Sequence, residues 1–252
     1  MEIIKLDNVI NVRDISYKNI KPKRLLRGSA LDSVTDSDVD VLKNKYNLKA
    51  IIDLRIKEEI ENEIFHIPGV TYYNVPIASK EVVGIPCGKS FNQELIAMQN
   101  DIPDMQAIYN NCLMPDKKDM WVKIFDILLN TEEGSIFWHC QQGKDRCGTV
   151  AAIIEYALGL DYDTILEDYL LTNESNKEKA NYVYELISYI SHDDDLANTL
   201  KNVFLSHKEH LDNAFNYINQ QYGSVDNFLL EMCDLTEEKI NKLKQMYLET
   251  AF

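Results

Sequence analysis

The amino-acid sequence predicts an α/β fold in which helices flank a central, mostly parallel sheet. Three observations support this prediction. An apolar run with β-branched residues begins at Leu48, directly after a segment with a helix-capping signature. A second apolar run, Ser135–Cys140, leads into a glycine-containing loop and then into an apolar helical segment. From Asp161 onward the pattern is helical, so helices are expected to form the C-terminal part of the chain.

Local signals place the first elements. Thr35, with Asp38 three positions later, predicts the start of a short helix. The segment "LKAIIDLRIKEE" (Leu48–Glu59) predicts a buried strand that runs into a charged loop, and "VTYYNVPI" (Val70–Ile77) predicts a second strand. Between Ala78 and Pro115, breakers such as "GIPCGK" predict an irregular excursion.

The second half of the chain has clearer periodicity. Asp116–Asn130 has apolar residues at helical spacing, so an amphipathic helix is expected there. The strand Ser135–Cys140 follows, and Thr149–Leu160 predicts a buried helix that ends at Gly159. Turn signals divide the remainder into predicted helices that contain "DTILEDYLLTN", "KEKANYVYELISYI", "LANTLKNVFLSHKEHLDNAFNYINQQYG", "SVDNFLLEMC" and "TEEKINKLKQMYLE".

The length of 252 residues and the hydrophobic content of 45% suit one large domain. We expect a single domain over residues 1–252, with a core over about 1–175 and a helical extension over about 176–252. Within the extension, the segment from about Asn176 to His210 is a candidate for a helical lid over a site.

The excess of acidic over basic residues disfavours anionic binding partners. The 41 acidic and 26 basic residues give a net charge of −15, which repels nucleic-acid backbones and anionic bilayers. We therefore expect no binding to nucleic acid. The sequence has no run of the roughly 18 to 20 apolar residues that a membrane-spanning segment needs, and "MEIIKLDNVI" lacks the pattern of a signal peptide. The expected location is the cytoplasm, with secretion without a recognisable signal peptide left open.

The cysteines do not form a metal or disulfide pattern. They are odd in number and include no C-x-x-C pair, so neither a disulfide framework nor a zinc site is indicated. We also expect no cofactor. Most of them are expected to be reduced and buried. They are Cys87, Cys112, Cys140, Cys147 and Cys233.

The run "HCQQGKDRCG" (His139–Gly148) fits a loop that holds a phosphoryl group beside a nucleophile. It joins the end of a strand to the start of a helix, where backbone N–H groups and the helix dipole favour an anion. Arg146 can hold two phosphate oxygens, and the same positive field favours the thiolate of Cys140, the candidate nucleophile. The expected phosphate-binding residues are Gln141, Gln142, Gly143, Lys144, Asp145 and Arg146.

A leaving alkoxide or phenoxide needs a proton from a nearby acid. Asp145, inside the loop, is the first candidate, and Asp53, at the end of the strand in "IIDLR", is the second. His139 is expected to orient the loop by hydrogen bonds rather than to act as a base. Lys144 either adds charge for a multiply phosphorylated head group or lies solvated on the rim of the loop.

The loop resembles the signature H-C-x-x-G-K-D-R-T-G of the cysteine-dependent tyrosine phosphatases, in particular a bacterial group that includes secreted phosphatases of mycobacteria and Listeria. A bare C-x5-R is a weak signal, whereas the full motif is a strong one. The resemblance continues in order along nearly the whole chain, in "NVRDI" (Asn11–Ile15), "LLRGSAL" (Leu25–Leu31), "IIDLR" (Ile51–Arg55), "EDYLLTN" (Glu167–Asn173) and "YGSVDNFL" (Tyr222–Leu229).

The resemblance implies a phosphatase-like α/β fold without metal, phosphocysteine chemistry, and activity on phosphotyrosine in proteins or peptides. Phosphoserine, phosphothreonine and phosphoinositides are further substrates in the family. Four of the five arginines lie in the matching segments. Of these, Arg13 and Arg55 are expected to support the loop, together with His139 and Cys147.

Two loop positions depart from the family pattern. Gln142 stands where a small residue is usual, and Cys147 stands where the family has a threonine or serine whose hydroxyl hydrogen-bonds the nucleophile. A thiol is a weaker donor, so slower turnover with the chemistry retained is expected. Cys147 is either a buried thiol tolerated in place of threonine or a partner that traps oxidised Cys140 as a disulfide.

We therefore predict a cysteine-dependent protein tyrosine phosphatase. One alternative is a phosphoinositide phosphatase of the same chemistry, which Lys144 favours and the acidic net charge disfavours. A second is a phosphate-binding pseudophosphatase in which Cys147 or Gln142 has weakened catalysis. A third is a rhodanese-like sulfurtransferase, which the continuation "GKDRCG" disfavours.

Overall fold

The computed structural model describes residues 2–60, 66–83 and 91–249. A six-stranded sheet lies at its centre, in the order β1-β2-β3-β6-β4-β5. The pairs β3–β6, β6–β4 and β4–β5 are parallel, and β1–β2 and β2–β3 are antiparallel. The predicted α/β fold with a mostly parallel sheet is therefore confirmed. The strands are β1 (Glu2–Ile3), β2 (Arg13–Asp14), β3 (Leu25–Gly28), β4 (Leu48–Asp53), β5 (Thr71–Asn74) and β6 (Ser135–His139).

Helices flank this sheet and form the C-terminal part of the chain. No helix in the part of the chain that the structure describes is both long and apolar enough to cross a membrane. The helices are α1 (Asp36–Asp40), α2 (Lys80–Val83), α3 (Phe91–Met98), α4 (Met105–Cys112), α5 (Lys118–Asn130), α6 (Asp145–Leu158), α7 (Tyr162–Ser191), α8 (Asp194–Val203), α9 (Lys208–Tyr222), α10 (Val225–Glu231) and α11 (Glu237–Tyr247).

Alternation along the strands builds a core on both faces of the sheet. In β6, Phe137 packs into one apolar cluster, whereas its neighbours Ile136 and Trp138 pack into another. In β4, Ile51 and Ile52 divide in the same way. Successive side chains of a strand point to opposite faces, so a continuous apolar run indicates a strand that is covered on both sides.

The register of the parallel strands aligns the ends of β3, β4 and β6, where the loops of three quoted motifs begin. His139, the last residue of β6, pairs with Gly28 at the end of β3 and with Asp53 at the end of β4. The segments "LLRGSAL", "IIDLR" and "HCQQGKDRCG", far apart in sequence, therefore meet at one edge of the sheet. Ligand sites of open α/β sheets lie at this carboxyl edge.

The expectation of an irregular segment over Ala78–Pro115 is wrong, because α3 and α4 lie within it. Helix α4 begins after Asp104, whose side chain accepts a hydrogen bond from the N–H of Ala107 and caps the helix. Its Tyr109 and Leu95 of α3 are fully buried, so tertiary packing stabilises two short helices whose local pattern is weak. The breaker "GIPCGK" and Cys87 lie outside the described residues.

The helical boundaries in the second half also differ from those predicted. Helix α6 begins at Asp145 rather than Thr149, because the loop residues themselves form its first turn. Helix α7 is one helix of 30 residues where two were expected. The long segment expected after it is divided at Ser206, whose N–H and C=O both bond the side chain of Asn173, so the backbone leaves the helical path there.

A third apolar cluster joins α3 to α7 and α8. It contains Leu95 of α3, Val183 and Ile187 of α7, and Leu200 of α8. These elements include most of the segment predicted as a lid. The lid itself, with its opening and closing, stays a prediction.

Candidate active site

Cys140 lies between the end of β6 and the start of α6, and its side chain is buried. A hydrogen bond from the Cys147 thiol, the charge of Arg146 and the backbone N–H of Cys147 outweigh the effect of burial and lower the pKa of Cys140 to about 6. The thiolate is therefore the main form at neutral pH. This matches the positive field that the sequence predicted for the loop.

Cys147 is fully buried next to Cys140, on the first turn of α6. Its Sγ lies 3.7 Å from the carbonyl oxygen of Gly28 and 3.9 Å from that of Trp138. Burial, together with the hydrogen bond to Cys140, raises the pKa of Cys147 well above its ordinary value. The thiol keeps its proton and can donate to Cys140, as a hydroxyl would. Pairing of the two sulfurs under oxidation stays a prediction.

Arg146 is oriented by a carboxylate that the sequence did not indicate. Its Nη1 donates to Glu59 Oε2 at 2.6 Å, and its Nη2 donates to Glu59 Oε1 at 2.7 Å. Both side chains are buried, and the hydrogen bonds to Glu59 raise the pKa of Arg146 against the opposing effect of burial. Glu59 leaves the other N–H groups of the guanidinium for an anion.

The turn that carries Glu59 is held by the same side chain. Glu59 Oε2 also accepts a hydrogen bond from the backbone N–H of Ile56 at 3.1 Å, which closes a single 3-10 turn over Lys57–Glu59. This turn follows "IIDLR" directly along the chain. The strand end, the turn and Arg146 are therefore joined through one carboxylate.

The loop turns back on itself at Gly143, which has a φ of +67°. A Cβ at this position would lie 2.4 Å from the carbonyl carbon of Gly28 and 2.5 Å from its oxygen. Only glycine therefore fits both the backbone conformation and the close approach to β3.

Side chains from two other motifs bind the outer carbonyls of the loop. Asn11 Nδ2 donates to the carbonyl of Gln142 at 3.2 Å and to that of Gly143 at 3.0 Å. Arg27 Nη2 donates to the carbonyl of Gly143 at 3.1 Å and to that of Lys144 at 3.4 Å. With its carbonyls bound on this side, the loop can turn its N–H groups toward the anion.

A buried ion cluster holds these supporting side chains in place. Asp168 of α7 accepts from Arg13 Nε at 2.9 Å and from Arg27 Nη1 at 2.7 Å. Arg13 Nη1 in turn donates to Asn11 Oδ1 at 2.7 Å. Burial favours the neutral acid, but the two arginines hold the pKa of Asp168 below its ordinary value. Arg13 therefore supports the loop through Asn11 rather than by direct contact.

Asp53 is fully buried at the end of β4 and has donors on both oxygens. Arg55 bonds to Oδ1 and Oδ2, and Tyr72 donates its hydroxyl to Oδ2 at 2.8 Å. Burial opposes ionisation, yet the His139 ring and Arg55 lower the pKa of Asp53 below its ordinary value. Arg55 also pairs with Asp32 at 2.6 Å.

His139 and Arg55 connect this carboxylate to the loop. His139 Nε2 lies 3.7 Å from Asp53 Oδ2, and burial lowers the pKa of His139 below its ordinary value against the opposing charge of Asp53. Arg55 Nη1 donates to Gln141 Oε1 at 3.4 Å. The expected hydrogen-bonding role of His139 in orienting the loop stays a prediction.

Asp145 is the other predicted acid, and it begins α6 with its side chain partly exposed. Tyr109 donates its hydroxyl to Asp145 Oδ1 at 2.8 Å, and Lys144 Nζ contacts the same oxygen. Among the described residues no donor lies on Oδ2, which leaves this oxygen for a proton or a substrate group. The Tyr109 hydroxyl is also bonded to that of Tyr169 at 2.6 Å.

The position of Lys144 excludes one of the two roles predicted for it. Its side chain is only 2% exposed and is paired with Asp145, so the alternative of a solvated lysine on the loop rim is wrong. The loop backbone has turned the lysine inward, beside the predicted acid. Its role toward a multiply phosphorylated substrate stays a prediction.

Gln141 and Gln142 form the open side of the loop. Gln141 is exposed, and Gln142 is half-buried with its Oε1 away from solvent and without a hydrogen-bond partner. Both line a cavity of about 220 Å³ between the loop and α3. In the described ranges 2–60, 66–83 and 91–249, no group of three or more His, Cys, Asp or Glu residues is placed to hold a metal ion.

The structure brings most of the predicted residues to one place and adds others. Asp53 and Arg55 lie near Gln141, at the start of the loop. Asp145 lies at the end of the loop, bonded to Tyr109. The sequence did not single out Glu59, Tyr109, Asn11, Arg27 or Asp168 as site residues. The last three lie in the quoted motifs "NVRDI", "LLRGSAL" and "EDYLLTN" and could have been found there, whereas Glu59 and Tyr109 carry no local signal.

Comparison with known proteins agrees with this geometry. Residues 4–249 match the family model described as the tyrosine phosphatase family. The triple specificity protein phosphatase PtpB of Mycobacterium tuberculosis is 31% identical over 122 residues, which are 45% of this chain and 44% of that protein. A protein of Cupriavidus necator, named provisionally as a tyrosine-protein phosphatase, is 30% identical over 122 residues, 48% of this chain and 42% of that protein. The match therefore spans less than half the length of each of these relatives.

Among solved structures, the comparison gives the core catalytic domain of the PP-IP phosphatase SIW14 from S. cerevisiae in complex with citrate. It shares 14% sequence identity with a TM-score of 0.37, over 87% of this chain and 98% of that chain. The family model, in contrast, covers nearly the whole sequence, including the loop and the segments that support it. This chain belongs to the tyrosine phosphatase family.

Proposed function

We propose that this protein hydrolyses phosphomonoesters, with phosphotyrosine in proteins or peptides as its main substrate, through a phosphocysteine intermediate. The observation that carries the proposal is the pairing of Cys140, with a pKa of about 6, with an Arg146 that Glu59 holds in place. A thiolate nucleophile and an oriented guanidinium are the groups that phosphoryl transfer needs.

In the first step the Cys140 thiolate attacks phosphorus while the bond from phosphorus to the tyrosyl oxygen breaks. Arg146 and the N–H groups at the start of α6 hold the equatorial oxygens, where charge is spread in the transition state. The leaving phenoxide takes a proton from Asp145. The products of this step are the dephosphorylated tyrosine and phosphocysteine.

In the second step a water molecule attacks the phosphocysteine. The carboxylate of Asp145 takes the proton of the water as the sulfur–phosphorus bond breaks. Inorganic phosphate leaves, and the Cys140 thiolate is restored with the hydrogen bond from Cys147. Both steps balance without a metal or a redox cofactor.

Asp145 is preferred to Asp53 as the acid because of their contacts. Both oxygens of Asp53 accept hydrogen bonds, and the pKa of Asp53 is lowered, which favours a permanently ionised, supporting carboxylate. Asp145 is partly exposed, and its donors converge on Oδ1, which leaves Oδ2 for the substrate. An acid must be able to reach the leaving oxygen.

The assay extends to phosphomonoesters other than phosphotyrosine. The relative from Mycobacterium tuberculosis is named a triple specificity phosphatase, so phosphoserine and phosphothreonine peptides belong in the assay. Phosphoinositides belong there as well, because Lys144 adds a second cationic side chain to the loop that contains Arg146. A net charge of −15 disfavours anionic membranes as the place of action.

The test is to assay wild type and Cys140→Ser on p-nitrophenyl phosphate, phosphotyrosine, phosphoserine and phosphothreonine peptides, phosphoinositides, and thiosulfate with cyanide. Cys140→Ser is expected to lose all phosphatase turnover, because a serine hydroxyl has no comparable anion at neutral pH. Cys233→Ser changes another buried thiol and serves as the matched control. Turnover that survives in Cys140→Ser would contradict the mechanism, and sulfur transfer without phosphatase activity would contradict the proposed function.

A further inference from the structure

The cavity beside the catalytic loop has an apolar wall and a polar floor. Its apolar wall comes from Ile10, from Phe91, Leu95 and Met98 of α3, and from Phe204 after α8, and Ser29, Glu94 and Lys179 also line the cavity. Gln141 and Gln142 of the loop form part of the floor, so the cavity opens beside the phosphate-binding residues. Its volume of about 220 Å³ is below the roughly 300 Å³ of the smallest drug-sized pockets, which suits a single side chain.

The walls of this cavity are held in place by contacts of their own. The ammonium of Lys179 lies 4.6 Å from the ring centre of Phe91 and 5.2 Å from that of Phe204. The two rings also meet edge to face at 5.7 Å. A cation between two rings stabilises their relative position, so α3 and the end of α8 form a preformed wall.

The floor of the cavity offers one acceptor in need of a donor. Gln142 Oε1 is shielded from solvent and has no hydrogen-bond partner. An acceptor left without a partner costs free energy. Rotation of the half-buried Gln142 side chain brings this acceptor to the cavity, where a ligand N–H restores the hydrogen bond. A peptide backbone supplies an N–H at a fixed distance from each side chain. The small residue usual at this position in the resembling phosphatases would offer no such acceptor.

We propose that this cavity binds the residue next to the phosphotyrosine of a peptide substrate and selects an apolar side chain there. The side chain packs against Phe91, Met98 and Phe204, and Gln142 Oε1 accepts a hydrogen bond from the peptide backbone. The proposal rests on the proposed function and adds a substrate preference to it.

The first test compares phosphotyrosine peptides that differ only in one flanking residue, leucine or glycine, on either side of the phosphotyrosine. At one of the two positions the leucine peptide is expected to have a kcat/KM about tenfold higher than the glycine peptide, because apolar contacts of this size discriminate by about that factor. The difference is expected in KM more than in kcat. p-Nitrophenyl phosphate, which has no flanking residue, serves as the reference substrate.

The second test fills the cavity. Met98→Trp is expected to reduce the preference for leucine to within about twofold of glycine, because the larger ring occupies the space of the flanking side chain. Ile96→Trp introduces a tryptophan on the same helix at a position that is 51% exposed. This control variant is expected to keep the preference for the leucine peptide. If circular dichroism shows that Met98→Trp does not fold, the smaller substitution Met98→Phe is used in its place.

A third variant tests the floor of the cavity. Gln142→Ala removes the unpaired acceptor and is expected to raise KM for both peptides relative to p-nitrophenyl phosphate. Equal kcat/KM for all flanking residues in an active wild type would overturn the proposal. So would a higher kcat/KM for an inositol phosphate than for every peptide. Absence of turnover on p-nitrophenyl phosphate and on all peptides would contradict the proposed function instead.

Discussion

The guanidinium of Arg146 is bonded through both of its terminal nitrogens to the two carboxylate oxygens of Glu59, at 2.6 and 2.7 Å. Two residues that lie 87 positions apart thus form one buried, planar pair. The pair determines which N–H groups of Arg146 remain for a bound anion. It also connects the turn over Lys57–Glu59 to the first turn of α6.

Glu59→Gln is expected to weaken the binding of inorganic phosphate to the protein. The amide offers one acceptor in place of two, so the guanidinium loses about 1.5–3 kcal/mol of charged hydrogen bonding and its orientation, a loss of about tenfold or more in affinity. Inhibition of p-nitrophenyl phosphate hydrolysis by phosphate measures this. Glu58→Gln alters the neighbouring, half-exposed carboxylate and is the control. Equal inhibition constants in the two variants would show that Glu59 does not orient Arg146.

The pH dependence of Cys140 alkylation by iodoacetamide is expected to have a midpoint near pH 6. Only the thiolate reacts, and the pKa of Cys140 is lowered to about 6, so the rate falls as the pH falls through 6 and is level above it. Peptide mapping by mass spectrometry identifies the alkylated residue. Cys112 is buried and its pKa is raised to about 12, so it is expected to stay unmodified over the same range. A midpoint of about 8.5, the ordinary value for a thiol, would contradict the predicted environment.

Cys147→Ala is expected to move that midpoint upward, because the hydrogen bond from Cys147 is the largest contribution to the lowered pKa of Cys140. Cys147→Thr keeps a donor and is expected to keep the midpoint near that of the wild type. Since a hydroxyl donates more strongly than a thiol, Cys147→Thr is also expected to raise the turnover number. An unchanged turnover number and an unchanged phosphoenzyme lifetime in Cys147→Thr would show that the thiol does not limit the rate.

Asp145→Asn is expected to lower kcat by about 10²–10⁴ on phenyl phosphate, whose leaving group is a poor one, and by less on p-nitrophenyl phosphate. A larger loss of kcat with the poorer leaving group is expected where the substitution removes the proton donor, because a good leaving group departs without protonation. Tyr109→Phe removes the hydrogen bond to Asp145 Oδ1 and is expected to show a smaller effect with the same dependence, in kcat rather than KM. Asp53→Asn should reduce activity on both substrates equally, because Asp53 is expected to act through Arg55. A leaving-group dependence in Asp53→Asn would reverse the assignment.

Gly143→Ala is expected to destabilise the protein more than Gly69→Ala. Both residues have positive φ, +67° and +81°, so both substitutions carry a backbone cost of about 1–2 kcal/mol. A Cβ at position 69 would meet nothing within 4 Å, whereas a Cβ at position 143 would overlap the backbone of Gly28. Overpacking adds about 1–3 kcal/mol to the loss in Gly143→Ala. The free energies of unfolding from urea titrations measure the difference, and equal values would show that the loop can relax away from β3.

The central part of the fold and the nucleophile loop follow from local sequence patterns. The apolar runs of β4 and β6 are short and rich in β-branched or aromatic residues, as expected of strands that are covered on both faces, and this composition predicted them. The loop residues from Cys140 to Arg146 adjoin in the chain, so their spacing indicates anion binding before any tertiary contact is known. Helices α3 and α4 were missed because their stability comes from packing by residues such as Leu95 and Tyr109 rather than from local propensity.

The partners of the loop were decided by tertiary structure alone. Glu59 reaches Arg146 because the parallel register places the ends of β4 and β6 side by side, and Tyr109 reaches Asp145 because α4 packs against α6. Neither contact has a signature in spacing or composition. The sequence by itself predicted the nucleophile, the guanidinium and the chemistry proposed for them, since these depend on neighbouring residues. Only the tertiary structure decided which carboxylate bonds Arg146, which aspartate keeps one oxygen without a donor among the described residues, and that Gln142 lines a cavity. Each of these depends on residues that the fold brings together from distant parts of the chain.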